Sequence, residues 1–329
     1  MCYTILVQGH PTPRSLGQFL PKTNLDGGSV NPNPDPVLFA TLVRSQEGKL
    51  AASRLIDSLR TFGGELADSP FWVFEADPAA APCRDLEAGK TTVLPLDVPA
   101  SVKGYLFGDK VYARARAEEL APQGVGSVVW VDPFCLFVQP PRLFDLGPDY
   151  DAAVRPVHIR NVGLAPESPL DAFWQGIYAA AGLDDVTTTV ESFADGRRIR
   201  SYFNSHAHAV DPRRGLFRGW FELFEKLVGD REFQSRACPD ETHQIFLFQA
   251  SFSALLCKAV EPGRLRILPP TYNYPYQLHR EVPAERRAGS LNDMVLVTYE
   301  DCDLRPEALT DIRVDEPLRG WLSAKTNPS

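Results

Sequence analysis

From Val37 onward short apolar runs alternate with amphipathic stretches, the pattern of strands alternating with helices. The run Val37–Val43 predicts a first strand, and a helix follows from about Gly48 with Leu50, Leu55, Leu59 and Phe62 on one stripe. Phe71–Phe74 and Thr91–Leu96 predict the next two strands. Gly108–Leu120 predicts a long helix, its end marked by Pro122 and Gly124, and Ser127–Val131 a fourth strand. Near-continuous apolar strands between helices imply a sheet covered on both faces, so the expected class is α/β, with a mostly parallel, Rossmann-like sheet.

The second half reads as more helical. Asp151–Val157 predicts a strand and Asp171–Ala181 a helix ended by Gly182, before a polar loop around Asp195 and Gly196. Tyr202–Val210 predicts another strand, and a helix carrying Phe217, Phe221, Phe224 and Leu227 follows Pro212. A helix from Pro239 to about Cys257 and a strand over Met294–Tyr299 complete the pattern. Residues 1–36 hold Pro11, Pro13, Pro21, Pro32, Pro34 and Pro36 and the turn-forming Asp26–Gly28, so an extended arm is expected there, ahead of one domain over 37–329.

Composition narrows the class. With 44% hydrophobic and 23% charged residues, the chain is a folded globular protein, not a disordered tract or a rod. A net charge of −8 argues against a dedicated nucleic-acid or anionic-membrane binder, so an anionic substrate needs a local basic pocket. The six cysteines form no CxxC pair, which fits neither a disulfide framework nor a zinc knuckle. No stretch approaches 18 apolar residues and no leader pattern opens the chain, so a cytoplasmic location without a transmembrane segment is expected. Cys2 invites comparison with N-terminal cysteine nucleophiles, but one residue alone supports that reading.

A nicotinamide site would need a GxGxxG after the first strand, where Arg44-Ser-Gln-Glu-Gly48 stands instead; Glu75 or Asp77 as a ribose ligand therefore lacks its glycine loop. Asp132 ends the apolar strand Ser127–Val131, at the strand end where ligands of open α/β sheets gather. The segment Val128–Pro141 resembles that of GT-A-fold nucleotide-sugar glycosyltransferases, in which an apolar strand ends in Asp-x-Asp. Tyr202-Phe-Asn-Ser205, Cys238-Pro-Asp-Glu241 and Leu268-Pro-Pro-Thr-Tyr-Asn273 follow in the same order as similar segments of those enzymes.

The resemblance implies a single GT-A-like domain that binds a nucleotide-diphosphate sugar and an acceptor of unknown identity. It assigns Asp132, Lys110 and Arg44 to the donor, the strand with Asn204, Ser205, His206 and His208 to the acceptor or sugar, and Asp240 and Glu241 to catalysis; strand period puts Asn204, His206 and His208 on one face. The chain departs from the glycogenin-like branch in two places. Phe134 replaces the second acid of Asp-x-Asp, and no histidine stands near Val297–Tyr299 to complete a metal site. One carboxylate is a thin site for Mg²⁺ or Mn²⁺, which leaves a divalent metal at Asp132 doubtful; Asp301 and Asp303 could compensate, or form a charged surface turn. Each assignment has a plainer reading. Lys110 and Arg44 could be solvated surface cations, Asp240 and Glu241 a helix cap, and the histidines packed side chains. The rival functions are a non-catalytic nucleotide, sugar or protein binder, and an enzyme of another class such as a nucleotidyltransferase or a zinc hydrolase built on His206 and His208.

Overall fold

The computed structural model describes residues 36–326, so nearly all of the arm expected over residues 1–36, Cys2 included, lies outside the described residues. The first half runs β1 (Val37–Val43), α1 (Gln46–Phe62), β2 (Phe71–Glu75), β3 (Thr91–Pro95), α2 (Gly108–Leu120) and β4 (Ser127–Val131). Next come β5 (Cys135–Phe137), β6 (Ala152–Val154), α3 (Ala172–Ala181), β7 (Thr189–Glu191), β8 (Arg198–Arg200) and β9 (Ala207–Val210). The remainder is α4 (Leu216–Gly229), α5 (Arg231–Ala237), α6 (Glu241–Ala259), β10 (Leu265–Ile267), β11 (Tyr274–Pro275), β12 (Leu296–Thr298) and α7 (Leu318–Thr326).

Seven strands form the main sheet in the order β10-β6-β9-β4-β1-β2-β3. All neighbours pair in parallel except β9, which runs antiparallel to both β4 and β6. The expected mostly parallel α/β architecture is the observed one. Alternation along β1 sends Leu38, Ala40 and Leu42 into a core shared with α2, α4 and α6, and Phe39 and Val43 into one shared with α1 and β5. With both faces covered, β4 is wholly buried between β1 and β9. A small second sheet, β11-β12-β5, begins three residues after Asp132. Among the described residues no helix is long and apolar enough to cross a membrane.

Several elements depart from expectation. The buried stripe of α1 runs through Ala51, Ala52, Leu55 and Leu59 and leaves Leu50 exposed, because Leu50 to Leu55 is a five-residue step that leaves the helix face. The strand expected over 202–210 shortens to β9. The Asn204 side chain accepts the His206 N–H at 2.8 Å and turns the chain out of the ladder. The polar loop around Gly196 is the turn of the β7–β8 hairpin, with Gly196 at φ +60.

Candidate functional site

Asp132 leaves the carboxyl end of β4 and stays buried, its backbone N–H bound to the His206 carbonyl at 2.7 Å. Oδ2 accepts from Lys110 Nζ at 2.8 Å, and Oδ1 accepts from Trp130 Nε1 at 2.9 Å. Arg114 Nη2 stands 3.5 Å from Oδ1. Burial alone would raise the carboxyl pKa; Lys110 and Arg114 outweigh it and hold Asp132 well below the usual carboxylate range.

Lys110 and Arg114 lie one turn apart on α2 and so share a face. Arg114, absent from the residues singled out in the sequence, is fully buried. Its guanidinium lies 4.2 Å from the Trp130 ring centroid and 5.2 Å from that of Trp220, and Nη2 donates to the Ser205 carbonyl at 2.7 Å. Burial pulls its pKa down to about 9, with Asp132 opposing. Glu118, further along α2, accepts backbone N–H groups of Phe217 and Arg218 at the start of α4, which fixes the helix carrying both cations. Arg44 pairs with Asp109, and the Arg44 and Lys110 charges stand 5.5 and 5.0 Å from the centroid of the Phe107 ring.

Beyond Asp132 a cavity of about 180 Å³ opens, with Val157, Ile159, Phe246 and Leu278 as apolar walls and His158, Asn161, Asn204, His206, Gln249, Gln277 and Glu300 as its polar groups. His206 Nδ1 is 2.9 Å from Asn204 Oδ1, and Nε2 is 3.1 Å from Glu300 Oε1. That contact to His206 lowers the Glu300 pKa. Asn273 Nδ2 donates to Asn204 at 2.7 Å, and Thr298 donates to Asn273. The Phe-Asn-Ser segment, the Thr-Tyr-Asn segment and the late strand β12 thus meet at Asn204. Ser205 is buried and donates to Gln249 at 3.1 Å. Both ring nitrogens of His158 and Gln277 Oε1 are enclosed without a hydrogen-bond partner. In a cavity of this size those orphans call for a small polar ligand or a few waters.

His208 corrects the sequence reading. It lies within β9, whereas His206 precedes the strand, and Phe217 and Trp220 of α4 and Phe252 of α6 cover it. Phe217, Trp220 and Phe252 enclose the His208 ring at 5.3, 6.1 and 4.8 Å, so it reaches no ligand and forms no metal pair with His206. Asp240 is the N-cap of α6: it accepts from the His243 backbone N–H at 3.0 Å and faces that ring at 2.9 Å. Neither Asp240 nor Glu241 lines the cavity; Gln249, which does, lies about 12 Å further along the helix axis from Glu241.

A divalent metal does not fit at Asp132. Both carboxylate oxygens already face cationic or N–H partners, so a metal ion there would be set against two positive charges. Phe134 packs on the Tyr299 ring at 6.0 Å instead of offering a ligand. Asp303 pairs with Arg305 on the surface. Among the described residues no group of three or more His, Cys, Asp or Glu side chains could hold a metal ion.

No family model matches the chain, and no curated protein is similar to it. Among solved structures it is similar to an active-site mutant of LgtC, with a TM-score of 0.50, 12% identity, and coverage of 89% of this chain and 96% of that one. A complex of the galactosyltransferase LgtC with donor and acceptor sugar analogs matches with a TM-score of 0.49 at 11% identity, over 89% of this chain and 96% of that chain. At such identity the likeness is one of fold, a GT-A-type α/β sheet with flanking helices.

Proposed function

We propose that the protein is a glycosyltransferase that takes a sugar from a nucleotide diphosphate and works without a divalent metal. The observation that carries this reading is the cavity at the carboxyl end of β4. Two of its lining residues, His158 and Gln277, carry unpartnered polar atoms, and a third, His206, holds through its carbonyl the backbone of the buried carboxylate that tethers a lysine. Departure of the nucleoside diphosphate leaves negative charge on the leaving group. Lys110, only part-buried and held beside Asp132, and Arg44 next to it are the cations that meet that charge; Arg114 is fully buried with Nη1 and Nη2 engaged by the Lys110 and Ser205 carbonyls, and acts by holding Asp132 and the Ser205 carbonyl.

Asn204, Ser205 and His206 belong to the sugar and acceptor side. His206 faces acceptors at both ring nitrogens, Asn204 Oδ1 and Glu300 Oε1, so it orients Glu300, whose carboxylate is the group in this pair able to take the acceptor proton. Asp240 and Glu241 stand outside the cavity, so the catalytic role that the resemblance assigns to them passes to this pair. A thermal-shift screen with UDP-, GDP-, dTDP- and CDP-sugars tests the reading, since a ligand of the native state raises its stability by mass action. One donor should raise the melting temperature in EDTA and be hydrolysed slowly.

A second reading has its own support. Both oxygens of Asp132 are held and Asp240 is engaged as a cap, which also suits a protein that binds a nucleotide or sugar without turning it over. Stabilisation by a donor without hydrolysis or transfer would favour the binder. Stabilisation by none of the four donors would remove both readings.

A further inference from the structure

A second cavity, of about 500 Å³, opens beside the β7–β8 hairpin, and Arg155, Glu191, Ser192, Phe193, Glu285 and Arg286 line it. Arg155 directly follows β6 and is only 3% exposed, yet its Nε and Nη2 are enclosed with no hydrogen-bond partner. No carboxylate faces it, and burial by itself lowers its pKa. What the guanidinium does have is the face of Phe193, with Cζ 4.6 Å from the ring centroid. That ring is fixed edge-on against Tyr274 at 5.8 Å, and its backbone N–H is bound to the Val157 carbonyl at 3.0 Å. A buried, unpaired guanidinium costs more than one cation–π contact returns, so the position is incomplete as the chain leaves it.

Three of the other polar groups around the cavity are satisfied, and Glu285 is unpaired among the described residues. Arg286 pairs with Glu191, and the Ser192 hydroxyl is engaged by Asp195 and the Arg197 backbone. The lining carries two arginines and two glutamates and is neutral as it stands. A monoanion therefore suits it better than a dianion such as phosphate, because the unpaired Glu285 repels the second charge as well as the first. The volume is that of an organic molecule, and Phe193 and Pro270 offer its carbon frame an apolar wall.

We propose that this cavity binds a small organic carboxylate, whose two oxygens take the Arg155 fork as its enclosed Nε and Nη2 turn toward the cavity, while its carbon frame lies against Phe193 and Pro270. The site is independent of the sugar-transfer reading. It borders the first cavity only through the segment 155–158, where the Arg155 carbonyl accepts the Asn204 N–H at 2.8 Å.

The test is an NMR titration of the full chain with acetate, benzoate and D-glucuronate, each against its neutral counterpart acetamide, benzamide and D-glucose, with inorganic phosphate as a fourth anion. The Arg155 Nε–Hε and Phe193 amide signals are the readout. The expected result is a saturable shift of both signals by at least one carboxylate, none by its neutral counterpart, and binding at least tenfold weaker in Arg155→Lys, which keeps the charge and loses the fork. Should that variant not fold, the signals of the unmodified protein carry the test alone. No saturable shift with any of the three carboxylates, equal shifts with the neutral compounds, preference for phosphate, or unchanged binding by Arg155→Lys would each overturn the proposal.

Discussion

At the carboxyl end of β4, the Asp132 side chain is 7% exposed and is gripped by Lys110 and Trp130; at the N-terminus of α6, the Asp240 side chain is 53% exposed and its partner is His243 of its own helix. Both are aspartates at the end of a regular element, and both have lowered pKa values. The causes differ. Asp132 is lowered by cations brought from another element against the pull of burial, whereas Asp240 is lowered chiefly by the backbone N–H of the helix it caps. A local cap can be removed and replaced by any good acceptor. A buried charge that holds two cations cannot.

The largest effect is therefore expected at β4. Asp132→Ala leaves Lys110 and Arg114 without their counter-charge and should cost about 3–5 kcal/mol of stability in denaturant unfolding, together with donor binding. Asp132→Asn, which can keep the Trp130 hydrogen bond, should be milder in stability and equally poor in donor binding. A loss under about 1 kcal/mol in Asp132→Ala would mean that the buried cluster is not the anchor described.

Next comes chemistry. His206→Ala or Glu300→Gln should leave donor affinity nearly intact and lower turnover by about 10²-fold, the scale of losing a positioned base. Equal losses of affinity and turnover would instead make the pair a binding contact.

A pH experiment separates the two histidines. Burial, with Arg114 nearby, holds the His208 pKa well below its ordinary value, and burial does the same to His158. In the folded protein both rings stay neutral, while in the unfolded chain they take up protons below about pH 6.5. Stability from each is thus fully present above that pH and lost as the pH falls below it, by up to about 1.4 kcal/mol per pH unit per ring. His208→Phe keeps the aromatic cluster, removes two unpartnered nitrogens, and should reduce that acid slope by about half without lowering stability at pH 7. The smallest effect belongs to the cap. Asp240→Asn should change neither melting temperature nor turnover, because asparagine caps as well as aspartate, and Asp240→Ala should lower the melting temperature slightly.

The central strand and its acid were legible because, in an α/β chain, an uninterrupted apolar run of four residues, Val128–Val131, ended by one carboxylate marks a strand buried on both faces that delivers a charge to the strand ends of the sheet. Lys110 follows from the resemblance, as a basic residue at the start of the helix before the Asp132 strand, and the structure pairs it with Asp132. Arg114, one turn on, carries the same helical spacing, yet an arginine in a polar helix reads as surface until Trp220 of α4 is known to cover it. Glu300 had no signal, since a charged residue in an acidic turn is indistinguishable in sequence from its neighbours Asp301 and Asp303. Strand period predicts one face for His206 and His208; that β9 begins only at Ala207, and that α4 and α6 close over His208, are tertiary facts.

The most direct measurement is calorimetric titration of the four nucleotide sugars in EDTA, on the unmodified protein and on Lys110→Met. The expected result is saturable, metal-free binding of one donor that weakens at least tenfold when the ammonium is removed. Binding that appears only with Mn²⁺, or that Lys110→Met leaves unchanged, would contradict a donor site built on Asp132 and Lys110.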